Sequence, residues 1–283
     1  MQLLDGKLTA NKIKKQLKLE VEMLKEKYNR VPHLAIVLVG EVEASHIYVR
    51  NKIKACQFVG MDVTLIQKDN TITTQDLTTL IHNLNNDDNI DGIIVQLPLP
   101  KHIDEQQIIN VINSKKDVDG FGIENKGKLF SGLPCLKSAT PYGIIKLLEE
   151  YNIDCVGKNA VVVGRSNIVG KPMSIMLLDK HATVTICHSK TKNLQEITKQ
   201  ADILVVAIGR AKFITKDMVK QGAVVIDVGM NRDENGLCGD VDFEDVKEIV
   251  GYITPVPGGV GPLTITMLLN NTIEAFKSKF KEA

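Results

Sequence analysis

The chain is 283 residues long, with 35 Lys and Arg against 34 Asp and Glu, 43% hydrophobic residues and no tryptophan. Such a length suits two domains, each able to bury its own core. A net charge of +1 with acids and bases interspersed argues against a nucleic acid or an acidic membrane as partner.

In chain order, residues 8–28 place Ile13, Leu17, Val21 and Leu24 at helical spacing, with lysines and glutamates on the other face. Residues 34–40, Leu-Ala-Ile-Val-Leu-Val-Gly, are too uniformly apolar to be half exposed and predict a strand buried on both sides. A helix is expected from Ser45 to Val59, with Gly60 as its C-cap. Strands at 63–66 and 92–96 follow, with a helix over 75–84 between them. Near Thr140-Pro141 the alternation restarts, with strands at 160–164, 183–187, 203–208 and 224–228 and a short one at 251–254. The Pro/Gly segment 254–262 is expected to be a shaped loop, being unfit for helix or central strand. A last helix covers 263–279. Strands alternating with helices imply an α/β protein with parallel sheets. Cys56, Cys135, Cys155, Cys187 and Cys238 are scattered and never form Cys-x-x-Cys, which fits reduced thiols in a cytoplasmic compartment. No apolar run reaches membrane-spanning length, and the first residues read as structure rather than a cleaved leader.

The most specific local signal is Val161-Val162-Val163-Gly164, followed by Gly170 and Pro172. It reads as strand, tight turn and helix, with Pro172 in the first helical turn, where a missing N–H costs nothing. Unpaired N–H groups and the positive dipole end at such a helix start suit a pyrophosphate. Ser166 stands where the fingerprint Gly-x-Gly-x-x-Gly has its second glycine. The next strand ends in His188-Ser189-Lys190-Thr191-Lys192, where an NAD site would hold an acid for the ribose 2′-hydroxyl. Together with Arg165 these residues attract a 2′-phosphate and favour NADP. The alternative, a solvated basic turn, accounts for Ser-Lys-Thr but not for its pairing with Arg165.

In the first half, Tyr48 and Lys52 are four apart on the expected helix and project from one face. A lysine serves as acid–base only when its pKa is lowered toward neutrality, and a tyrosine beside it can hold its orientation. Most Tyr-x-x-x-Lys pairs are solvated helix faces. Short-chain dehydrogenases share the spacing but place it after the dinucleotide motif, which is the wrong order here. Gln96, before Leu97-Pro98-Leu99-Pro100, puts an amide at the carboxyl end of a strand, where open α/β sheets bind ligands. The turn 116–121 carries Asp117 and Asp119. Too few further ligands accompany them for a metal, whereas one of them could accept hydrogen bonds from an amino-substituted heterocycle.

Together these motifs resemble the bifunctional methylenetetrahydrofolate dehydrogenase/methenyltetrahydrofolate cyclohydrolase family. The resemblance rests on Gly40, Ala44-Ser45, Tyr48 and Lys52, on 95–100 and 116–121, on Gly164-Arg165-Ser166 with Gly170 and Pro172, on 187–191, Asp227-Val228-Gly229, Gly239-Asp240-Val241, and 255–262. Two positions depart from the family pattern, Ala139 and Leu263, and neither carries the chemistry.

The resemblance implies two parallel-sheet α/β domains flanking a cleft, the second a Rossmann-type NADP-binding domain. Residues 1–139 would form the catalytic folate-binding domain and 140–263 the NADP-binding domain, with the helix of 264–283 returning to the first. It further implies a homodimer acting on tetrahydrofolate derivatives in one-carbon metabolism, feeding purine biosynthesis. Lys52 would be the catalytic lysine, with Tyr48 over the substrate, Gln96 tuning the lysine and Asp119 anchoring the pterin. Val95, Leu97, Pro257, Gly258 and Gly259 would line the folate site. Gly164, Arg165, Ser166 and Ser189 would bind NADP, with the backbone at Met230 beside the nicotinamide. A silent NADP-binding sensor is disfavoured by the presence of Lys52, Gln96 and Asp119 together. A shikimate-type dehydrogenase is disfavoured by the loop at 257–262.

Overall fold

A computed structural model describes residues 1–234 and 236–280; the side chain of Ala44, one of the motif residues, lies outside the described residues. In chain order the elements are β1 (Gln2–Leu3), α1 (Gly6–Tyr28), β2 (His33–Val39), α2 (Glu43–Val59), β3 (Asp62–Lys68), α3 (Thr74–Asn86), β4 (Gly92–Val95), α4 (Glu105–Val111), α5 (Ile123–Phe130) and α6 (Ala139–Glu150). Then follow β5 (Asn159–Val163), α7 (Gly170–Asp179), β6 (Thr183–Cys187), α8 (Leu194–Thr198), β7 (Ile203–Val206), β8 (Val224–Asp227), β9 (Asn231–Asp233), β10 (Gly236–Cys238), α9 (Phe243–Val246), β11 (Tyr252–Ile253) and α10 (Val260–Lys279). The chain divides into two compact units, one of Lys12–Ala139 with the segment from Ile265 onward, the other of Met1–Asn11 with Thr140–Thr264.

The first unit is built on three parallel strands in the order β3-β2-β4. As its uniform hydrophobicity predicts, β2 is the buried centre: Leu34 through Val39 are all buried. Its Ala35, Val37 and Val39 join Leu77, Ile81 and Leu84 of α3 in one core, each large aliphatic chain contributing about 1.5–3 kcal/mol by leaving water. α3 starts at Thr73, whose hydroxyl accepts the Asp76 N–H at 3.0 Å. α2 ends at Gly60, which sits at φ 82° and closes the helix with its N–H. After β4 the chain returns alongside it, where Ile93 pairs in parallel with Asp117. The carboxyl edge of the sheet thereby gains the acidic turn 117–119. α10 is tied to this edge by Asn271, whose side-chain amide donates to the carbonyls of Val118 and Lys137, both at 2.8 Å.

The second unit carries six strands in the order β1-β11-β8-β7-β5-β6, and every pairing is parallel. β6 lies on one side of β5 and β7 on the other, so the strand order reverses at β5, the position where such sheets open a ligand crevice. Val161, Val163, Leu204, Val206 and Val225 fill the core on one face.

Two findings depart from the sequence reading. Residues 1–11, expected in the first domain, belong to the second unit, because β1 pairs with β11 through Gln2↔Tyr252 and Leu3↔Ile253. The Pro/Gly loop is also shorter than expected, since α10 begins at Val260 and takes in Gly261 and Pro262. Proline is tolerated in the first turn of a helix for the same reason as Pro172 of α7.

Candidate active site

Lys52 lies on the buried side of α2, between Val49 and Cys56, and is 9% exposed. Its ammonium Nζ donates to Oε1 of Gln96 at 2.9 Å. Gln96 follows directly on β4, where its backbone N–H donates to Val37 of β2 at 2.9 Å. Its Nε2 donates to the Leu97 carbonyl at 2.7 Å, which turns Oε1 toward the lysine. Val95 commits its side chain to the core and Leu97 packs against the same cluster. Tyr48, one turn before Lys52 on α2, is 39% exposed.

Burial pushes the Lys52 amine below its usual 10.5, opposed in part by the charge of Asp119 and by Cys56. Asp119 is half-buried, and desolvation raises its carboxyl to about 6, with Lys52 opposing and Asp117 adding to the rise. The structure therefore brings Lys52, Gln96 and Asp119 into one electrostatic unit. The thiol of Cys56, one turn beyond Lys52, is pushed up to about 12, chiefly by burial, and stays protonated.

The geometry distinguishes the two acids that the sequence left equivalent. Asp117 is 1% exposed and its oxygens accept from Phe121 N–H (3.2 Å), Gly122 N–H (2.8 Å) and the Asn125 amide (3.0 Å). It is committed to holding the start of α5. Asp119 is aimed by Gly120, which sits at φ 67° and presses so closely on the backbone of Lys137 and Ser138 that a Cβ would strike it. The Ser138 hydroxyl closes this turn by donating to the Gly120 carbonyl at 3.0 Å.

The remaining sequence candidates lie in the second unit, along the carboxyl edge of its sheet. Gly164 ends β5 and donates its N–H to the Cys187 carbonyl of β6 at 2.9 Å, so the turn with exposed Arg165 adjoins the turn with exposed Ser189. The latter is closed by the His188 N–H donating to the Thr191 hydroxyl at 2.8 Å. Gly170 packs so tightly on the carbonyl of Gly164 that no side chain fits there. Met230 follows β8, and Pro257, Gly258 and Gly259 follow β11. Pro257 is exposed and Gly259 buried, and the Gly258 carbonyl accepts from Lys7 N–H at 2.9 Å.

The expectation of free N–H groups at the start of α7 needs correcting. Ser166 uses its hydroxyl to accept from Val169 and Gly170, at 3.1 and 3.3 Å, and its carbonyl accepts from Lys171. Pro172 has no N–H to offer, and Met173 donates to Val169. Ser166 thus caps its own helix where a second glycine would have left the donors bare. Sequence reasoning also passed over the chemistry of Asp227 and Asp240, two buried carboxylates in motifs quoted only for resemblance. The two positions that depart from the family pattern are buried packing sites: Ala139 is 1% exposed, and Leu263 is 0% exposed and abuts Gly143.

Residues 4–119 match the model of the tetrahydrofolate dehydrogenase/cyclohydrolase catalytic domain, and residues 138–280 match that of the family's NAD(P)-binding domain. The bifunctional protein FolD of Streptococcus agalactiae is 54% identical over 275 residues, covering 97% of each chain. The crystal structure of the bifunctional FolD methylenetetrahydrofolate dehydrogenase/cyclohydrolase of Campylobacter jejuni superposes with a TM-score of 0.97 at 50% identity, covering 99% of both chains. That of the Trypanosoma brucei enzyme, complexed with NADP cofactor and inhibitor, superposes with a TM-score of 0.93 at 35% identity over 98% of this chain and 97% of its own. With both domain models and full-length relatives in agreement, the chain belongs to the tetrahydrofolate dehydrogenase/cyclohydrolase family.

Proposed function

We propose that this chain carries both activities of its family: NADP-dependent oxidation of 5,10-methylenetetrahydrofolate to 5,10-methenyltetrahydrofolate, and hydrolysis of that product to 10-formyltetrahydrofolate. The observation that carries the reading is the buried Lys52, its pKa lowered by desolvation and its amine held by Gln96 at 2.9 Å. The unit of 12–139 with 265–280 is the folate-binding catalytic domain, and that of 1–11 with 140–264 the NADP-binding domain.

In the methylene substrate the bridge carbon lies between two nitrogens whose lone pairs stabilise a developing cation. Oxidation therefore needs positioning more than a strong base. Bound NADP supplies the hydride acceptor. The turn at Gly164 fits a dinucleotide, because Gly170 leaves no side chain between strand and helix and exposed Arg165 and Ser189 stand on adjoining strand ends. Those two residues would hold the 2′-phosphate of NADP, and the backbone at Met230 would lie on its nicotinamide side. Asp119, with its carboxyl at about 6, is mostly ionised at pH 7 and accepts from the amino-pterin.

Hydrolysis does need proton transfers, as water attacks the bridge carbon and N5 departs. Lys52 in its neutral form takes one proton from the attacking water and returns it to N5, while the other leaves the carbinol oxygen for solvent as the formyl C=O forms. A permanently charged lysine would repel the cationic substrate. Gln96 orients the amine through the cycle, Tyr48 lies over the ring, and Leu97 with the backbone at Val95 lines the folate. The same reading makes the enzyme a cytoplasmic homodimer supplying formyl groups to purine biosynthesis.

The test is Lys52→Met. Cyclohydrolase activity should vanish while NADP affinity stays near that of the wild type, with dehydrogenase activity surviving in part. A Lys52→Met enzyme hydrolysing methenyltetrahydrofolate at the wild-type rate would falsify the assignment.

A further inference from the structure

Two buried carboxylates stand at the carboxyl edge of the second unit's sheet, and no step derived above uses either. Asp227 ends β8 and is 3% exposed; Asp240 is 0% exposed. Asp227 accepts from the N–H groups of Gly229, Asp240 and Val241, each at 2.9 Å. Asp240 accepts from the N–H groups of Ile208 (2.7 Å), Gly209 (3.0 Å) and Arg210 (2.7 Å), and from the side-chain amide of Asn231 (2.9 Å). Its two oxygens thus gather three consecutive backbone donors from the segment after β7 and a fourth donor from the segment after β8. Asp227 holds Asp240 in place through its backbone.

Gly239 sits so close to Asp227, and Gly229 so close to Asp240, that a Cβ at either would overlap the carboxylate. The two glycines therefore let the backbone close around the acids. Gly209 and Arg210 are exposed and Met230 is 48% exposed. Ile208 packs against the core and Arg210 lies over the Phe213 ring, while the backbone N–H groups of 208–210 all end on the Asp240 carboxylate, which sets the course of the segment between those anchors. Hydrogen bonds to a charged acceptor are the stronger kind, and buried backbone donors left without one are costly.

The geometry points to Asp240, held by Asp227, as the positioning residue that shapes the 208–210 and 229–231 segments into the nicotinamide-facing wall of the cofactor site. The inference rests on the functional reading above, in which this unit carries NADP. The pair serves hydride transfer and has no part in hydrolysis, because hydrolysis uses the groups around Lys52.

The experiment is Asp240→Asn in the full-length protein. An amide places an NH₂ against at least one N–H donor that the carboxylate accepted, and the loop must move. Dehydrogenase kcat should fall at least tenfold, and the isotope effect with substrate deuterated at the bridge carbon should rise as hydride transfer becomes rate-limiting. Cyclohydrolase kcat, measured without NADP, should remain within about twofold of the wild type. Asn231→Ala, which loosens the same carboxylate without stranding a backbone donor, should show the same split more weakly. A parallel fall of both activities in Asp240→Asn together with an unchanged dehydrogenase in Asn231→Ala overturns the assignment. So does a dehydrogenase kcat and isotope effect unaltered in Asp240→Asn. A wild-type enzyme with no NADP-dependent oxidation overturns the functional reading itself, and this inference with it.

Discussion

Gln96 offers the sharpest test of how the lysine is tuned. Its Oε1 accepts from Lys52 at 2.9 Å, while its Nε2 is anchored on the Leu97 carbonyl. Replacing Gln96 by Ala removes that acceptor from an amine that burial already holds below 10.5. A hydrogen bond to a charged group is worth about 1.5–3 kcal/mol net, and one pH unit corresponds to about 1.36 kcal/mol. The charged amine loses this support more than the neutral one, so the Lys52 pKa should fall further. The acid limb of the cyclohydrolase kcat/KM profile then moves to lower pH, and the plateau drops because the base is weaker. Gln96→Glu does the opposite: a carboxylate beside the amine raises its pKa, so activity at neutral pH falls and returns at alkaline pH. The assay is loss of methenyl absorbance without NADP, corrected at each pH for the uncatalysed rate. Coincident acid limbs in all three enzymes, or shifts of the same sign in both variants, would refute the coupling.

Asp119 should give opposite signs in activity and stability. Its carboxyl titrates near 6, so kcat/KM for the folate should fall roughly tenfold between pH 7 and pH 5, a limb that Asp119→Ala removes along with about 1.5–3 kcal/mol of binding. Stability runs the other way: a folded pKa raised from 3.8 to about 6 favours the protonated form in the native state. The resulting cost is present above pH 6 and relieved as pH falls toward 3.8, so Asp119→Asn should raise Tm at pH 7 by an amount equivalent to about 1–3 kcal/mol. A lower Tm in that variant would show the acid to be a structural turn residue. For cofactor choice, Arg165→Ala should cost NADP one to two decades in Kd, about 1.5–3 kcal/mol, with little effect on NAD. Ser189→Asp should lower the NADP/NAD ratio of kcat/KM further by repulsion; a ratio unmoved in both would show the β6 turn misread.

The sequence was most readable where a single period or residue type decides the outcome. β2 announced its burial because six consecutive apolar residues leave no face for water, and Gly60 marked the end of α2. The i, i+4 spacing placed Tyr48 and Lys52 on one face, but it could not show that Lys52 is buried while Tyr48 stays exposed, nor that β4 brings Gln96 alongside the amine. The residue pattern alone left Asp117 and Asp119 open and only the resemblance chose Asp119; the structural difference turns on Asn125 and Gly122, residues that reach Asp117 only once α5 is formed. Ser166 shows the reverse case: the fingerprint marks it only as standing where a glycine belongs, and the folded turn reveals that its hydroxyl accepts from Val169 and Gly170. The two residues of β1 were too short to carry any period, and only the distant β11 gives them a role.

That pairing bears on how the protein is made. Gln2 donates to Gly251 and Leu4 to Ile253, each at 2.8 Å, and Leu4 is fully buried. β1 therefore leaves the ribosome well before its partner β11, which lies far along the chain. During synthesis β1 must stay unpaired until β11 emerges, so this sheet is completed only once residue 253 is out, whereas β2, β3 and β4 can pair as soon as residue 95 is out. A fragment starting at residue 140 would keep the nucleotide motif yet expose the free edge of β11. Unpaired strand edges of this kind recruit other chains, and in the folded protein β1 covers that edge of β11.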